Sequence, residues 1–158
     1  MSEAWRKVPG FPLYEVSNQG RVRSLRFGKV RLLRPGFNHF GYGSVHLWRE
    51  GAKSSTSCTV HTLVASAFIG PRPDGQHVRH LDGNPRNNTS GNLAYGTVRK
   101  NALDTVRHGR NRAAAKTHCP SDHEYTPENT YTPPSRPGWR YCRTCSAERS
   151  RARRKVAA

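Results

Sequence analysis

The sequence predicts an α+β protein built from three small parts, and three observations predict it. Short alternating apolar and polar runs between turn residues fill the first third of the chain. A strand, loop, strand, helix pattern occupies the middle. The closing segment carries three of the four cysteines and ends in a basic run. Leu, Ile, Val and Phe make up only 26 of 158 residues beside a formal charge of +17, so a single large apolar core is not expected. Domains this small lean on a metal or a partner to offset chain entropy.

In chain order, residues 1–58 form the β-rich part. Turn signals stand at Pro9-Gly10, Asn18-Gln19-Gly20, Pro35-Gly36 and Glu50-Gly51. Tyr14 to Val16, Arg21 to Leu25 and Gly43 to Trp48 alternate with period two between them, as short antiparallel strands do. Residues 59–112 are the second part. Leu63, Val64, Ala67 and Phe68 recur at helical spacing and Gly70-Pro71 stops the run, which predicts a short amphipathic helix. Val78 to Leu81 and Asn92 to Thr97 read as strands around an Asn-rich loop, and Arg99 to His108 reads as a helix closed by Gly109. Residues 113–158 are the third part; in it Arg149, Arg153 and Lys155 lie near helical spacing. That run is either a basic helix or a solvated tail that orders on binding.

Charge narrows the partner. Lys and Arg number 27 against 10 carboxylates, and 21 of the 27 are Arg. Such a surplus draws a polyanion by counterion release, and Arg forks onto phosphates and guanine edges. Codon usage in a GC-rich genome accounts for part of the preference for Arg over Lys, but not for the scarcity of carboxylates. The longest apolar stretch, Leu63 to Ile69, is far below spanning length, and the first residues have no apolar signal region. A cytoplasmic protein without a membrane partner is expected, in which cysteines serve metals or stay free.

Two constellations carry chemistry. Hydrolysis of a phosphodiester needs a general base, a cation for the developing charge and a rigid frame for both. His80, Asn92 and Asn101 fall on the first strand, the second strand and the helix of the middle part. The other constellation is Cys119-x3-His123, then 18 residues, then Cys142-x2-Cys145. Two short ligand pairs around a loop are how a chain wraps a tetrahedral Zn²⁺, and four filled positions make the role structural. His118 is an alternative ligand beside Cys119, and Cys58 is expected to be a small buried side chain.

The middle part resembles the HNH, or ββα-metal (His-Me finger), endonucleases, and is most similar to their homing branch of phages and mobile elements. The residues that carry the likeness are His80-Leu81-Asp82-Gly83-Asn84, Asn87-Asn88, Asn92-Leu93 and Asn101, after a helix from Val60 to Phe68. The resemblance implies that His80 is the general base, that Asn92 braces the loop, and that Asn101 ligates a divalent cation, Mg²⁺ or Mn²⁺. It also brings a departure: many members place an acidic ligand immediately before the histidine, where this chain has Arg79. Asp82 would share the face of His80 on a continued strand and substitute; the competing role is that it caps the Asp-Gly-Asn turn.

Trp5, Pro9-Gly10-Phe11, Tyr14 to Asn18 and Gly20 to Ser24 resemble the NUMOD-type module that accompanies homing endonucleases, which implies DNA binding for this part. Candidate DNA contacts are Arg21, Arg23, Arg79, Arg86, Arg99, Arg149 and Arg153. The whole reads as a DNA endonuclease that nicks or cuts double-stranded DNA, with a monomer favoured and the oligomeric state left open by the sequence. A DNA-binding protein with an inactive HNH core is the alternative.

Overall fold

The structure, a computed structural model, describes residues 2–136 and 139–156. Its elements are mixed α and β, and the chain divides into two compact units, Met1–Val98 and Arg99–Ala158. No helix among the described residues is long and apolar enough to cross a membrane.

The first unit holds three small sheets and a helix. Strands β1 (Trp5–Val8), β2 (Phe11–Ser17), β3 (Val22–Ser24) and β4 (Arg31–Leu33) form an antiparallel sheet in that order. Strands β5 (Gly36–Phe37), β6 (Gly43–Leu47) and β7 (Thr56–Thr59) form a second. Helix α1 (Val60–Phe68) follows, then the pair β8 (Gln76–His80) and β9 (Leu93–Thr97). Period-two burial explains β6, where Gly43, Val45 and Leu47 are buried, and the Tyr14–Val16 part of β2; Phe11 falls out of that alternation, opposite Val8 where the β1–β2 register shifts.

One core serves these elements, apart from the exposed β5. Val8, Phe11, Tyr14, Val16, Val22, Val45, Leu47, Val60, Leu63, Val64 and Leu93 form a single buried cluster, with Ala67, Phe68, Cys58 and Val78 packed against it. α1 lies at its centre, and burying its Val60, Leu63 and Val64 contributes on the order of 6 kcal/mol before chain entropy is charged. The core is small, but it is continuous from the first strand to β9.

Two strand ends differ from expectation. β8 stops at His80, so Leu81 and Asp82 lie in a turn. Asn92 sits in a 3-10 turn, Ser90–Asn92, ahead of β9. Both follow from local competition: the Asx side chains of this loop bond its backbone instead of leaving it to the ladder.

The second unit takes in most of α2 (Val98–Arg107), then α3 (Arg112–Ala115), the pair β10 (Thr130–Tyr131) and β11 (Tyr141–Cys142), and α4 (Arg143–Val156). The basic run is thus helical. Among the described residues beyond Val98 the buried side chains are Asp104, Cys119 and Cys142. Tyr131, Trp139 and Tyr141 are exposed and make no core. This unit has almost no apolar interior of its own.

Candidate functional site

His80 is the last residue of β8, buried at 8% exposure. Its Nε2 meets Oδ1 of the equally buried Asn88 at 3.0 Å. Two further rings flank it: His61, from the first turn of α1, at 5.3 Å between centroids and Tyr42 at 5.8 Å. Tyr42 and His61 also touch each other. Burial, with a smaller push from His80, lowers the His61 imidazole to about 4, so it is neutral at physiological pH.

The loop after His80 is held by its own side chains. Asn92 accepts from the Asp82 N–H at 3.0 Å and donates to Asp82 Oδ1 at 2.9 Å and to the Asn87 carbonyl at 2.8 Å. The Leu81 N–H donates to the Asn92 carbonyl. Asp82 also accepts from the Asn84 N–H and from Asn87 Nδ2, each at 2.7 Å. Desolvation opposes its ionisation, but the bonds from Asn84, Asn87 and Asn92 and the nearby His80 outweigh it and hold the carboxyl below its usual range. With β8 ended at His80, strand alternation no longer places Asp82 on the face of His80. Its carboxylate spans the turn instead.

Arg79 lies one residue before His80, where alternation directs it to the opposite face of β8. Its side chain crosses the strand pair over Gly96, so closely that a Cβ there would stand 2.6 Å from Arg79 Cδ. Asn101 is exposed on α2 and belongs to the second unit, whereas His80, Asp82, Asn88 and Asn92 are gathered in the first. Neither Asn88 nor His61 is among the site residues read from the sequence. Neither Tyr42 nor the contact of His61 with His80 was foreseen, because the residues are 38 and 19 positions from His80 in the chain.

The candidate DNA-contact arginines differ in how they are held. Arg21 pairs with Glu3 and lies 5.7 Å over Trp5; Arg23 pairs with Glu15 and lies 4.2 Å over the same ring. Arg86 is exposed and stacks on Phe37 at 5.1 Å. Arg99, Arg149 and Arg153 are exposed. A basic and aromatic face not singled out in the sequence brings together Arg26, Phe27, Lys29, Arg31, His46 and Trp48, with Arg26 stacked on Phe27 and Trp48.

In the second unit Cys119, His123, Cys142 and Cys145 place their ligand atoms within 4.8 Å of one another. His123 Nδ1 is 3.6 Å from Cys119 Sγ, 3.3 Å from Cys145 Sγ and 3.7 Å from Cys142 Sγ, and the Cys119 and Cys145 sulfurs are 3.6 Å apart. A tetrahedron with Zn–S bonds of about 2.3 Å has edges of about 3.5–3.8 Å, so the cluster fits a metal of that size. The Cys145 N–H, 3.4 Å from Cys142 Sγ, leads the effects that bring the Cys142 thiol down to about 6. Glu148 Oε1 stands 3.8 Å from His123 Nε2, where a partner would hold Nδ1 toward the metal. Asn129 ties the two ligand pairs together, accepting from Thr144 and Cys142 and donating to the Glu124 carbonyl. His118 is exposed and pairs with Thr117 instead. Cys58 is half-buried against the core.

Comparison with known proteins bears on both parts of the first unit. Residues 3–48 match the NUMOD4 motif and residues 58–103 match the HNH endonuclease family. An uncharacterised HNH endonuclease of Acanthamoeba polyphaga mimivirus is 35% identical over 109 residues, 69% of this chain and 32% of that protein. The DNA endonuclease I-HmuI of Bacillus phage SP01 is 36% identical over 106 residues, 66% of this chain and 59% of that protein. The chain thus spans between a third and three fifths of the length of these relatives. A solved structure of DNA binding and cleavage by the HNH homing endonuclease I-HmuI superposes with a TM-score of 0.60 at 33% identity, covering 68% of this chain and 60% of that one. Over residues 3–103 the chain is thus similar to the HNH endonucleases, with a match to the NUMOD4 motif ahead of the HNH segment.

Proposed function

We propose that the chain is a metal-dependent endonuclease that hydrolyses phosphodiester bonds of double-stranded DNA. The observation that carries this reading is His80, buried at the end of β8 beside an Asx-braced loop, within the segment that matches the HNH family. I-HmuI, to which the chain is similar, is described as binding and cleaving DNA.

In this reading His80 takes the proton of the attacking water, and Asn92 keeps the loop around His80 in shape. Asn101 offers its side-chain oxygen to a divalent cation, Mg²⁺ or Mn²⁺, a hard ion that suits oxygen donors. A cation held there would supply positive charge against the charge that develops on the phosphate. Asp82 is assigned to the turn, because its carboxylate already accepts from Asn84, Asn87 and Asn92. Arg79 cannot ligate a cation, so the remaining donors would have to be substrate phosphate and water oxygens. The four-ligand cluster is proposed to hold Zn²⁺ and to fold the second unit.

DNA is gripped in this reading by several basic surfaces on one chain. Arg86, Arg99, Arg149 and Arg153 are exposed to meet phosphates. Arg21 and Arg23 would have to release Glu3 and Glu15 to do so, and serve the fold of the module first. The three parts expected from the sequence, 1–58, 59–112 and 113–158, are each proposed to contact DNA.

The test is plasmid cleavage with Mg²⁺ and with Mn²⁺, with His80→Ala as control. Wild-type protein should convert supercoiled plasmid to nicked or linear forms and His80→Ala should not. If the protein binds duplex DNA yet cuts with neither metal, the chain is a DNA-binding protein with an inactive core.

A further inference from the structure

We infer that Asn88 is the positioning residue that holds His80 as the Nε2–H imidazole, leaving Nδ1 as the basic nitrogen, and that the Asn18–Gly20 turn of the NUMOD4 segment keeps Asn88 in place. The inference rests on the nuclease reading for its catalytic meaning, but its structural content stands apart from it.

The argument is one of donors and acceptors. The Asn88 amide has two ends, and its Nδ2 faces the Arg86 carbonyl at 3.3 Å. A carbonyl only accepts, so the NH₂ end belongs there and Oδ1 is left for His80. Oδ1 in turn only accepts, so the His80 Nε2 at 3.0 Å must carry the hydrogen. In a neutral imidazole the lone pair is then on Nδ1. Asn88 is 7% exposed and His80 8%, so water competes little for this bond. The titratable groups around His80 are His61 on α1, Tyr42 ahead of β6 and Asp82 in the loop. His61 Nδ1 is buried without a hydrogen-bond partner among the described residues.

The NUMOD4 segment presses on the same asparagine. Gly20, at φ +84, comes so close that a Cβ there would lie 2.8 Å from Asn88 Cβ and 3.2 Å from its carbonyl oxygen. Both the left-handed backbone and the close approach require glycine. The Ser90 N–H donates to the Asn18 carbonyl at 2.8 Å, which anchors the turn on the far side of Asn88. The turn is itself rigid: the fully buried Ser17 accepts from the N–H groups of Gln19 and Arg21, and Asn18 Oδ1 accepts from the Ala4 N–H. The N-terminal motif is therefore a wall of the His80 site and not only a flanking module.

The experiment uses full-length, ¹⁵N-labelled protein with zinc, and reads the ring nitrogens of His80 by long-range ¹H–¹⁵N correlation near pH 7.5. Wild type should show the Nε2–H tautomer. Asn88→Leu should convert it to a mixture and lower kcat about 10- to 100-fold with little change in KM for DNA. Asn88→Asp, which keeps an acceptor, should retain the tautomer and move the acidic limb of the pH–rate profile upward, because a carboxylate favours the imidazolium. Gly20→Ala should act in the direction of Asn88→Leu. Should Asn88→Leu fail to fold, Asn88→Asp and Gly20→Ala decide the matter. An Nδ1–H tautomer in wild type overturns the inference, as does a tautomer indifferent to both Asn88→Leu and Gly20→Ala. If wild type shows Nε2–H and the tautomer shifts in Asn88→Leu or Gly20→Ala but the wild type cuts no DNA, the nuclease reading fails while the positioning of His80 stands.

Discussion

His61 gives the most quantitative handle on the first unit. Its imidazole is lowered from 6.5 to about 4 by burial and by His80, so the native state binds fewer protons than the unfolded chain between those values. Stability carried by neutral His61 is therefore complete above pH 6.5 and drains away as pH falls toward 4. Between pH 7 and pH 5 the linkage amounts to about 2 kcal/mol at full strength, and to about 1 kcal/mol once partial exposure of the ring is allowed for. His61→Phe keeps an aromatic ring against Tyr42 and His80 while removing the titration. Urea unfolding at the two pH values, followed by the amide resonances of Val16, Val45 and Val64, measures the difference. The variant should lose about 1 kcal/mol less than wild type on acidification. Equal losses in the two proteins would refute the reasoning, since they would mean that His61 titrates alike in the folded and unfolded chain.

Other perturbations test other joints of the molecule. A strong chelator should release one zinc per chain and collapse the amide signals of residues 118 to 146 while those of the first unit persist. Structural zinc is worth about 10–16 kcal/mol in small domains, more than the entire stability of most, and an unchanged spectrum of metal-free protein would refute the site. Asn92→Ala removes three hydrogen bonds from the loop and should cost about 2–3 kcal/mol by urea titration, together with most of the cleavage activity. Gly96→Ala forces Arg79 from its seat and should cost about 1 kcal/mol, and the cost should vanish when Arg79 is also shortened to Ala.

Much of this was legible in the sequence because it is local. The helix Val60–Phe68, the strands of the first third and the Cys119, His123, Cys142, Cys145 cluster follow from periodicity and ligand spacing, which act over a few residues. The ends of β8 and β9 were not legible at that level. Deciding them requires knowing that Asn92 and Asp82 bond each other across ten residues. The wall of His80 was further out of reach, because Tyr42, His61 and the Asn18–Gly20 turn meet it only through tertiary packing. Their residue types carry no signal of that meeting, since a glycine after Asn-Gln reads as a turn whether or not the His80 loop rests on it.

The shared core leads to a prediction that separates an appended module from an integral one. Seven of the eleven core residues, from Val8 to Leu47, precede Val60, and four, Val60, Leu63, Val64 and Leu93, come after. Removing residues 1–58 would strip the apolar face of α1 of most of its partners and expose three side chains worth on the order of 2 kcal/mol each. It would also take away Gly20 and the Asn18 carbonyl that seat Asn88 and Ser90, and Tyr42 beside His80. A two-stranded pair is marginal alone in water, so β8 and β9 would not outlast that loss. The truncated chain 59–158 should therefore show no cooperative unfolding transition for its HNH segment by urea titration, and no cleavage, even on short oligonucleotide duplexes supplied far above any binding constant. Were the motif only a grip on DNA, excess substrate would restore the rate. Cleavage by the truncated chain at the wild-type kcat would refute the integral reading and return the NUMOD4 segment to the role of a tether.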